Sequence, residues 1–402
     1  MFLKLLKRSA SLDDYFYCVP RLCLGAMGYW PSAVRSLSAN LWATTNFIVL
    51  FIGVFTELHA GFTALKYDIE LGLDTLCPAG TSAVTLLKMY LIYWHRNDLQ
   101  LTVERLHYLL YHTNKAKLTT NKRNIMGASS RLATGLGLTT FGMGLLTSTT
   151  YNLKPLFEAW ISHRHGSRFV WRTPFNMTLP AGLLKFPYFP LSYIFTAYTA
   201  YVTVFMFSGC DSFYYESCSN FALLLKILQE DIKMVFDGLK SKVVSTAVEA
   251  ERLEEELFKI IKRQNEIMEI TTLFRNCYIT MTLAHFVSAS MVIGASLFDV
   301  LSFSGVGRFV YIAYTIAALS QLFIYCYGGT IVAENSTQIG TTIFCSDWHL
   351  CNPKNRRLLS LMILRSQRPI TMAVPFFNPS LVTFASILQA AGSIIALASS
   401  FQ

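Results

Sequence analysis

Lys88 and His285 are the residues of this chain best placed to do chemistry, because each interrupts an apolar run long enough to cross a bilayer. An ionisable group at that depth is costly to bury and is therefore a functional hypothesis in its own right. Lys88 falls near one end of its run, where its stem is expected to lie along apolar surface and its ammonium to reach the interface. His285 falls in the middle of its run and is expected to form a helix–helix hydrogen bond rather than to act as a ligand or proton relay. Glu57, Asp299 and Arg308 stand at run ends and read as interfacial. No carboxylate pair at membrane depth supports proton-coupled transport. No phosphate-binding loop, dinucleotide fingerprint, zinc-protease helix or nucleophile elbow occurs. The nine cysteines form no CxxC pair and no metal-ligand spacing. The residues point to no enzyme, no cofactor and no metal.

The elements that position these groups follow from composition. Of 402 residues, 53% are apolar and 14% charged, about half the charge of a soluble chain. So few charges cannot cover the surfaces of soluble domains of this total length, which leaves a membrane protein. The excess of Lys and Arg (34 against 24 acidic residues) reads as a positive-inside bias rather than as nucleic-acid binding. The first 16 residues contain no apolar stretch of the kind a cleaved signal needs. Uncharged or nearly uncharged runs predict seven helical spans: 38–56, 75–94, 132–152, 186–209, 276–298, 309–333 and one within 372–402.

With the N-terminus inside, the inner segments 1–40, 95–127, 210–275 and 334–378 hold 25 Lys and Arg against 7 in the outer segments. That places the C-terminus outside. Asn176-Met177-Thr178, in the second outer loop, is an N-glycosylation sequon on the side where it can be used. A G-protein-coupled receptor has the opposite orientation, so no G protein is expected.

Residues 210–275 form the longest polar insertion. Leu253, Leu257, Ile260, Gln264, Ile267 and Phe274 lie near heptad spacing beside charged residues, with Glu255 and Lys259 one turn apart. The pattern predicts spans four and five continuing as helices into the cytoplasm, packed on each other or on a neighbouring subunit. Residues 340–365 read as a further inner helix broken at Cys351-Asn352-Pro353, and Pro369 and Pro375 separate it from the last span. The chain thus divides into a six-span region, 1–333, and an inner helix with a final span, 334–402. Spans three and four are rich in aromatic, threonine and glycine residues. They fit either bundle packing or an apolar cavity with a few orienting hydroxyls.

The C-terminal third closely resembles the insect odorant receptor family. The resemblance rests on Tyr325-Cys326-Tyr327-Gly328-Gly329, on Ile343-Phe344-Cys345-Ser346-Asp347-Trp348, and on the run from Leu361 to Pro369 (LMILRSQRP). Phe376-Phe377 and the run from Leu381 to Leu388 (LVTFASIL) complete it. It implies an all-α, seven-span subunit of an odorant-gated, non-selective cation channel in the cell membrane of olfactory neuron dendrites. Such a subunit assembles with a shared co-receptor into a hetero-tetramer within membrane lipid. The last helix would line the pore, with Leu397 and Phe401 at a hydrophobic gate and Ser393 and Ser400 as pore-facing hydroxyls. The small volatile would bind in the outer half between spans two and six. Depth and helical spacing nominate Ser82, Met143, Leu146, Tyr188, Phe195, Thr199, Met291 and Ala295 as its contacts. A gustatory-type channel and, less favoured, a secondary transporter are the alternatives. The chain lacks the gustatory C-terminal signature and shows neither internal repeats nor paired interrupted helices.

Overall fold

The computed structural model describes residues 12–32, 36–112, 120–164, 171–240, 247–302 and 306–400. Every regular element among them is helical. A short helix α1 (Cys18–Ala26) leads into α2 (Leu37–Ala64), α3 (Ile69–Trp94) and α4 (Arg96–His107). The long helices α5 (Thr120–Arg164), α6 (Phe189–Lys240), α7 (Ala247–Ser302) and α8 (Val306–Phe344) follow. The chain closes with α9 (Pro353–Ser366) and α10 (Leu381–Ser400). Their starts carry ordinary signals: the side chains of Ser36, Asp68 and Asn352 cap α2, α3 and α9.

Five of these helices carry stretches long and apolar enough to cross a membrane: Leu37–Ala64, Leu71–Trp94, Phe189–Asp237, Glu251–Gly294 and Ile312–Phe344. Helix α5 falls short in mean hydropathy because Gly, Ser and Thr dilute it. The described apolar stretch of α10, Leu381–Ser393, is short of a full crossing.

The core is organised around α6, which packs against α1, α5, α7 and α8. Every residue from Met206 to Leu225 is buried, so this helix is enclosed on all sides. Helices α6 and α7 run on without a break beyond their most apolar stretches, and Leu253, Leu257, Ile260, Gln264, Ile267 and Phe274 all point inward. The lysine at 259 pairs with Glu256, three residues back at 2.9 Å, rather than with Glu255. In the later segment Ile343 and Met362 are buried, whereas Phe344, Leu350, Leu361 and Leu364 are exposed.

Two charges depart from expectation. Glu57 is 3% exposed, because α2 extends past the apolar run 38–56. Lys88 does not extend to an interface: it is fully buried, with its Nζ 2.5 Å from Asp211 Oδ1. Asp211 had been counted with the polar inner insertion, but α6 carries it into the protein interior. Helix α1 has no counterpart among the expected elements. It is anchored by the Tyr17 amide donating to Glu216 and by the Tyr17 hydroxyl 2.6 Å from Ser217 Oγ.

Candidate functional site

Helices α3, α5, α6, α7 and α8 border a partly open cavity of about 110 Å³. Its surface is mainly apolar and aromatic: Phe207 from α6, Ala289 and Val292 from α7, Tyr314, Ala317 and Ala318 from α8, and Phe175 from the 171–188 segment. Phe175 stacks on Tyr151 of α5 at 5.6 Å and 9°, and Tyr151 meets Tyr314 edge-on at 6.1 Å. The segment carrying Phe175 is strapped to α2 through Thr178 N–H to the Thr56 carbonyl (3.1 Å) and through His59 Nδ1 to the Thr178 hydroxyl (3.0 Å). Asn176 in the same segment is exposed and donates to Thr75 Oγ1 at 3.4 Å. On the α5 wall, Gly144 lets Val204 of α6 approach; a Cβ there would lie 3.2 Å from Val204 Cγ1.

Most hydroxyls on the cavity wall are already occupied. Thr147 donates to the Met143 carbonyl, Thr203 to the Thr199 carbonyl and Ser288 to the His285 carbonyl, all at 2.9–3.1 Å. Thr81 and Tyr314 share a 2.6 Å bond across α3 and α8, and Ser82 lies 3.3 Å from Thr203 Oγ1. Such bonds satisfy the groups at membrane depth and leave them little capacity for a ligand. His285 and Ser148 differ. Both line the cavity, both are buried, and neither imidazole nitrogen nor the Ser148 hydroxyl has a hydrogen-bond partner among the described residues. The helix–helix hydrogen bond expected of His285 is not made; its ring stacks on aromatic neighbours instead.

Behind the cavity wall lies a network that joins four helices. The His285 ring stacks on Tyr325 at 4.4 Å and 24°. Tyr325 donates from its hydroxyl to Asp211 Oδ1 at 2.8 Å, the oxygen that also meets Lys88. Lys88 Nζ sits 3.7 Å from the centre of the Phe207 ring, which itself faces the cavity. Ring quadrupole, carboxylate and tyrosine hydroxyl together compensate an ammonium withdrawn from water. Helices α3, α6, α7 and α8 are therefore linked through Lys88, Asp211, His285 and Tyr325.

The same part of α8 holds the last helix. Thr330 Oγ1 accepts from the Leu381 amide at 3.0 Å, and Phe323 meets Phe384 edge-on at 5.6 Å. Phe286 of α7 contacts Phe377 at 4.6 Å. Gly329 allows the Pro379 carbonyl to lie directly against the α8 backbone, where any Cβ would collide with it.

Of the residues nominated from sequence, Ser82 lines this cavity. Leu146, Tyr188 and Met291 are 66, 55 and 70% exposed on the outer faces of α5, the segment leading into α6, and α7 respectively. Met143 and Phe195 are half-buried, and neither they nor buried Thr199 reach the cavity. The physical reason is helix phase. The cavity takes Gly144, Thr147 and Ser148, Ala200 and Thr203, and Ser288, Ala289 and Val292, mostly one position from the residues chosen, and one position turns a helix by 100°. The side chains of Ala295, Leu397 and Ser400, and Phe401 altogether, lie outside the described residues. Ser393 is exposed on α10, with its hydroxyl donating to the Gln389 carbonyl. Elsewhere His95, Asp98 and Cys277 bring ligand-type atoms within 4.8 Å of one another, the one trio among the described residues that a metal ion could bridge.

Comparison with known proteins places this architecture. A family model described as 7tm Odorant receptor matches residues 68–392. Odorant receptor 10a of Drosophila melanogaster is 49% identical across 100% of this chain and 99% of its own length. Odorant receptor 24a of the same fly is 34% identical over the whole of both chains. Among solved structures, the insect olfactory receptor OR5 from Machilis hrabei in complex with eugenol superposes with a TM-score of 0.78. It covers 97% of this chain and 100% of its own at 14% identity. The fold is that of an all-helical, multi-pass membrane protein, and the family is one of receptors rather than catalysts. The chain belongs to the insect odorant receptor family.

Proposed function

We propose that this chain is the odorant-binding subunit of a ligand-gated, non-selective cation channel, and that its ligand occupies the cavity between α3, α5, α6, α7 and α8. The observation that carries the reading is the continuity between that cavity and α10. A cavity-lining imidazole stacks on Tyr325, and five residues farther along α8 Thr330 holds the first turn of the last helix. A volatile that binds the open arrangement more tightly shifts the equilibrium by that difference alone, typically about 1–3 kcal/mol of coupling. OR5 was solved with eugenol, a small neutral volatile. A neutral, aromatic cavity suits a ligand of the same kind.

In this reading seven helices span the membrane, α5 and α10 included, with the N-terminus inside, the C-terminus outside and Asn176 available for glycosylation. Residues 1–333 bind the ligand, with the extensions of α6 and α7 in the cytoplasm, and residues 334–402 supply the inner helix and the pore. Ser393, Leu397, Ser400 and Phe401 border the conduit, gated by dewetting. The apolar side chains left exposed at Phe344, Leu350, Leu361 and Leu364 are the face on which neighbouring subunits meet, in a hetero-tetramer with the shared co-receptor. The neuronal dendrite membrane is its expected location.

Co-expression with a co-receptor and recording of volatile-evoked currents tests the reading. Currents that require both chains and shift in concentration dependence when Ala318 is replaced by Phe are the expected result. Surface expression with silence across a broad volatile panel overturns it. Currents from this chain alone would favour the gustatory-type arrangement, and saturable uptake without conductance would favour a transporter.

A further inference from the structure

Two polar groups in the cavity have no other function that the structure explains. His285 is 1% exposed and Ser148 6%, and all three of their side-chain polar atoms lack partners among the described residues. A buried polar atom is normally hydrogen-bonded, and a group left without a partner asks what supplies it. The remaining wall does not: Thr147, Thr203 and Ser288 donate to their own helices, Thr81 is bonded to Tyr314, and Ser208 and Gln321, which also border the space, bond to neither group. The imidazole is also held in orientation, clamped face-on against Tyr325 at 4.4 Å with Phe207 at 5.5 Å. A fixed ring in a mainly apolar chamber is how a site reads one polar group on a small molecule.

We infer that His285, assisted by Ser148, is the specificity-determining residue of this cavity, and that it selects single-ring volatiles bearing an oxygen function over hydrocarbons of the same shape. The inference rests on the cavity being the ligand site. A neutral imidazole offers one N–H donor and one acceptor nitrogen, and the serine hydroxyl can do either. The pair therefore serves a carbonyl, an ester or a hydroxyl, whereas a hydrocarbon leaves every one of these atoms unpaired. Size sets the other limit. A closed cavity of about 150 Å³ holds benzene, so the partly open space of about 110 Å³ here leaves room for no more than one ring. Sites built to hydrogen-bond a ligand reject the analogue lacking that group far more strongly than apolar pockets reject a missing methylene.

The test uses two isosteric pairs on the chain co-expressed with its co-receptor: acetophenone against α-methylstyrene, and benzyl alcohol against ethylbenzene. The expected result is activation by each oxygenated probe at a concentration at least roughly tenfold below that of its hydrocarbon partner, equivalent to about 1.4 kcal/mol. His285→Phe keeps a ring against Tyr325 and should bring both ratios close to one. His285→Gln, which retains a donor and an acceptor, should restore part of the preference, and Ser148→Ala should reduce it by a smaller factor. Ala318→Phe, which fills the cavity, separates the two layers of the argument. If it shifts all responses while His285→Phe leaves the ratios intact, the assignment to His285 is wrong and the cavity stands. If neither variant changes anything at normal surface expression, the cavity reading itself falls. Silence to both oxygenated probes, or equal potency within each pair in the unaltered chain, overturns the ligand class.

Discussion

Helix α6 passes through two interiors of opposite character. Between Ala200 and Ser208 it faces a cavity in which an imidazole and a hydroxyl are left without partners. From Asp211 onward it is sealed, and some polar groups there are matched from elsewhere: Asp211 Oδ1 by Lys88 and Tyr325, Glu216 by the Tyr17 amide, Ser217 by the Tyr17 hydroxyl, whereas Asp211 Oδ2, the Ser212 and Tyr214 hydroxyls and Asn220 Nδ2 have no hydrogen-bond partner among the described residues. The sealed part gives a donor to each of the carboxylates of Asp211 and Glu216, the groups most costly to bury alone, and leaves several of its neutral groups unpaired. What sets the cavity part apart is that its unpaired imidazole and hydroxyl border open space, where a guest could complete them.

That contrast can be broken most directly at the charged pair. Lys88→Ala or Asp211→Ala leaves one charge buried without its counter-ion, which costs about 3–5 kcal/mol. Loss of surface labelling and a lowered thermal midpoint of the purified protein are expected. Lys88→Met combined with Asp211→Leu should recover much of the loss, since replacing both charges with apolar groups is often neutral. If either single variant is as stable as the parent, the sealed half is not held by this pair.

A smaller effect is expected from Tyr325→Phe, which removes one hydrogen bond to a charged group, worth about 1.5–3 kcal/mol, and keeps the ring against His285. Response amplitude should fall while the preference between oxygenated and hydrocarbon probes is kept, as concentration–response curves would reveal. Gly329→Ala, which pushes α8 from the Pro379 carbonyl, should cost about 1–3 kcal/mol through overpacking. It should reduce maximal current more than it shifts the half-maximal concentration. At the small end, Glu256→Gln should leave the thermal midpoint unchanged, because the pair it breaks is exposed. Asn176→Gln should remove a glycan-dependent gel shift and leave currents intact.

The sequence was informative wherever one side of a helix differs chemically from the other, or a whole run differs from its flanks. The apolar runs marked the long helices, and the spacing from Leu253 to Phe274 named the inward face of α7 because its opposite face is charged. The phase of α5 could not be read that way. A helix in lipid is apolar toward the bilayer and apolar toward a cavity, so the amphipathic signal that distinguishes Met143 from Gly144 is missing. The glycines show the same limit: Gly137 and Gly144 meet neighbouring helices, whereas Gly135 and Gly142, equally plain in sequence, meet nothing within 4 Å. The partner of Lys88 was hidden for another reason. Asp211 lies 123 positions away, in a stretch whose polarity suggested solvent. His285 stood out in the sequence, but only the arrangement of the rings around it reveals that its nitrogens go unused.

Tyr325 presents one face to His285 and its hydroxyl to Asp211. On the proposed reading, ligand recognition and gating therefore meet at one residue pair, His285 and Tyr325. A change at position 285 that retuned which odour is sensed would then also alter how loudly it is reported, and a repertoire diversified there would trade breadth of detection against strength of signal.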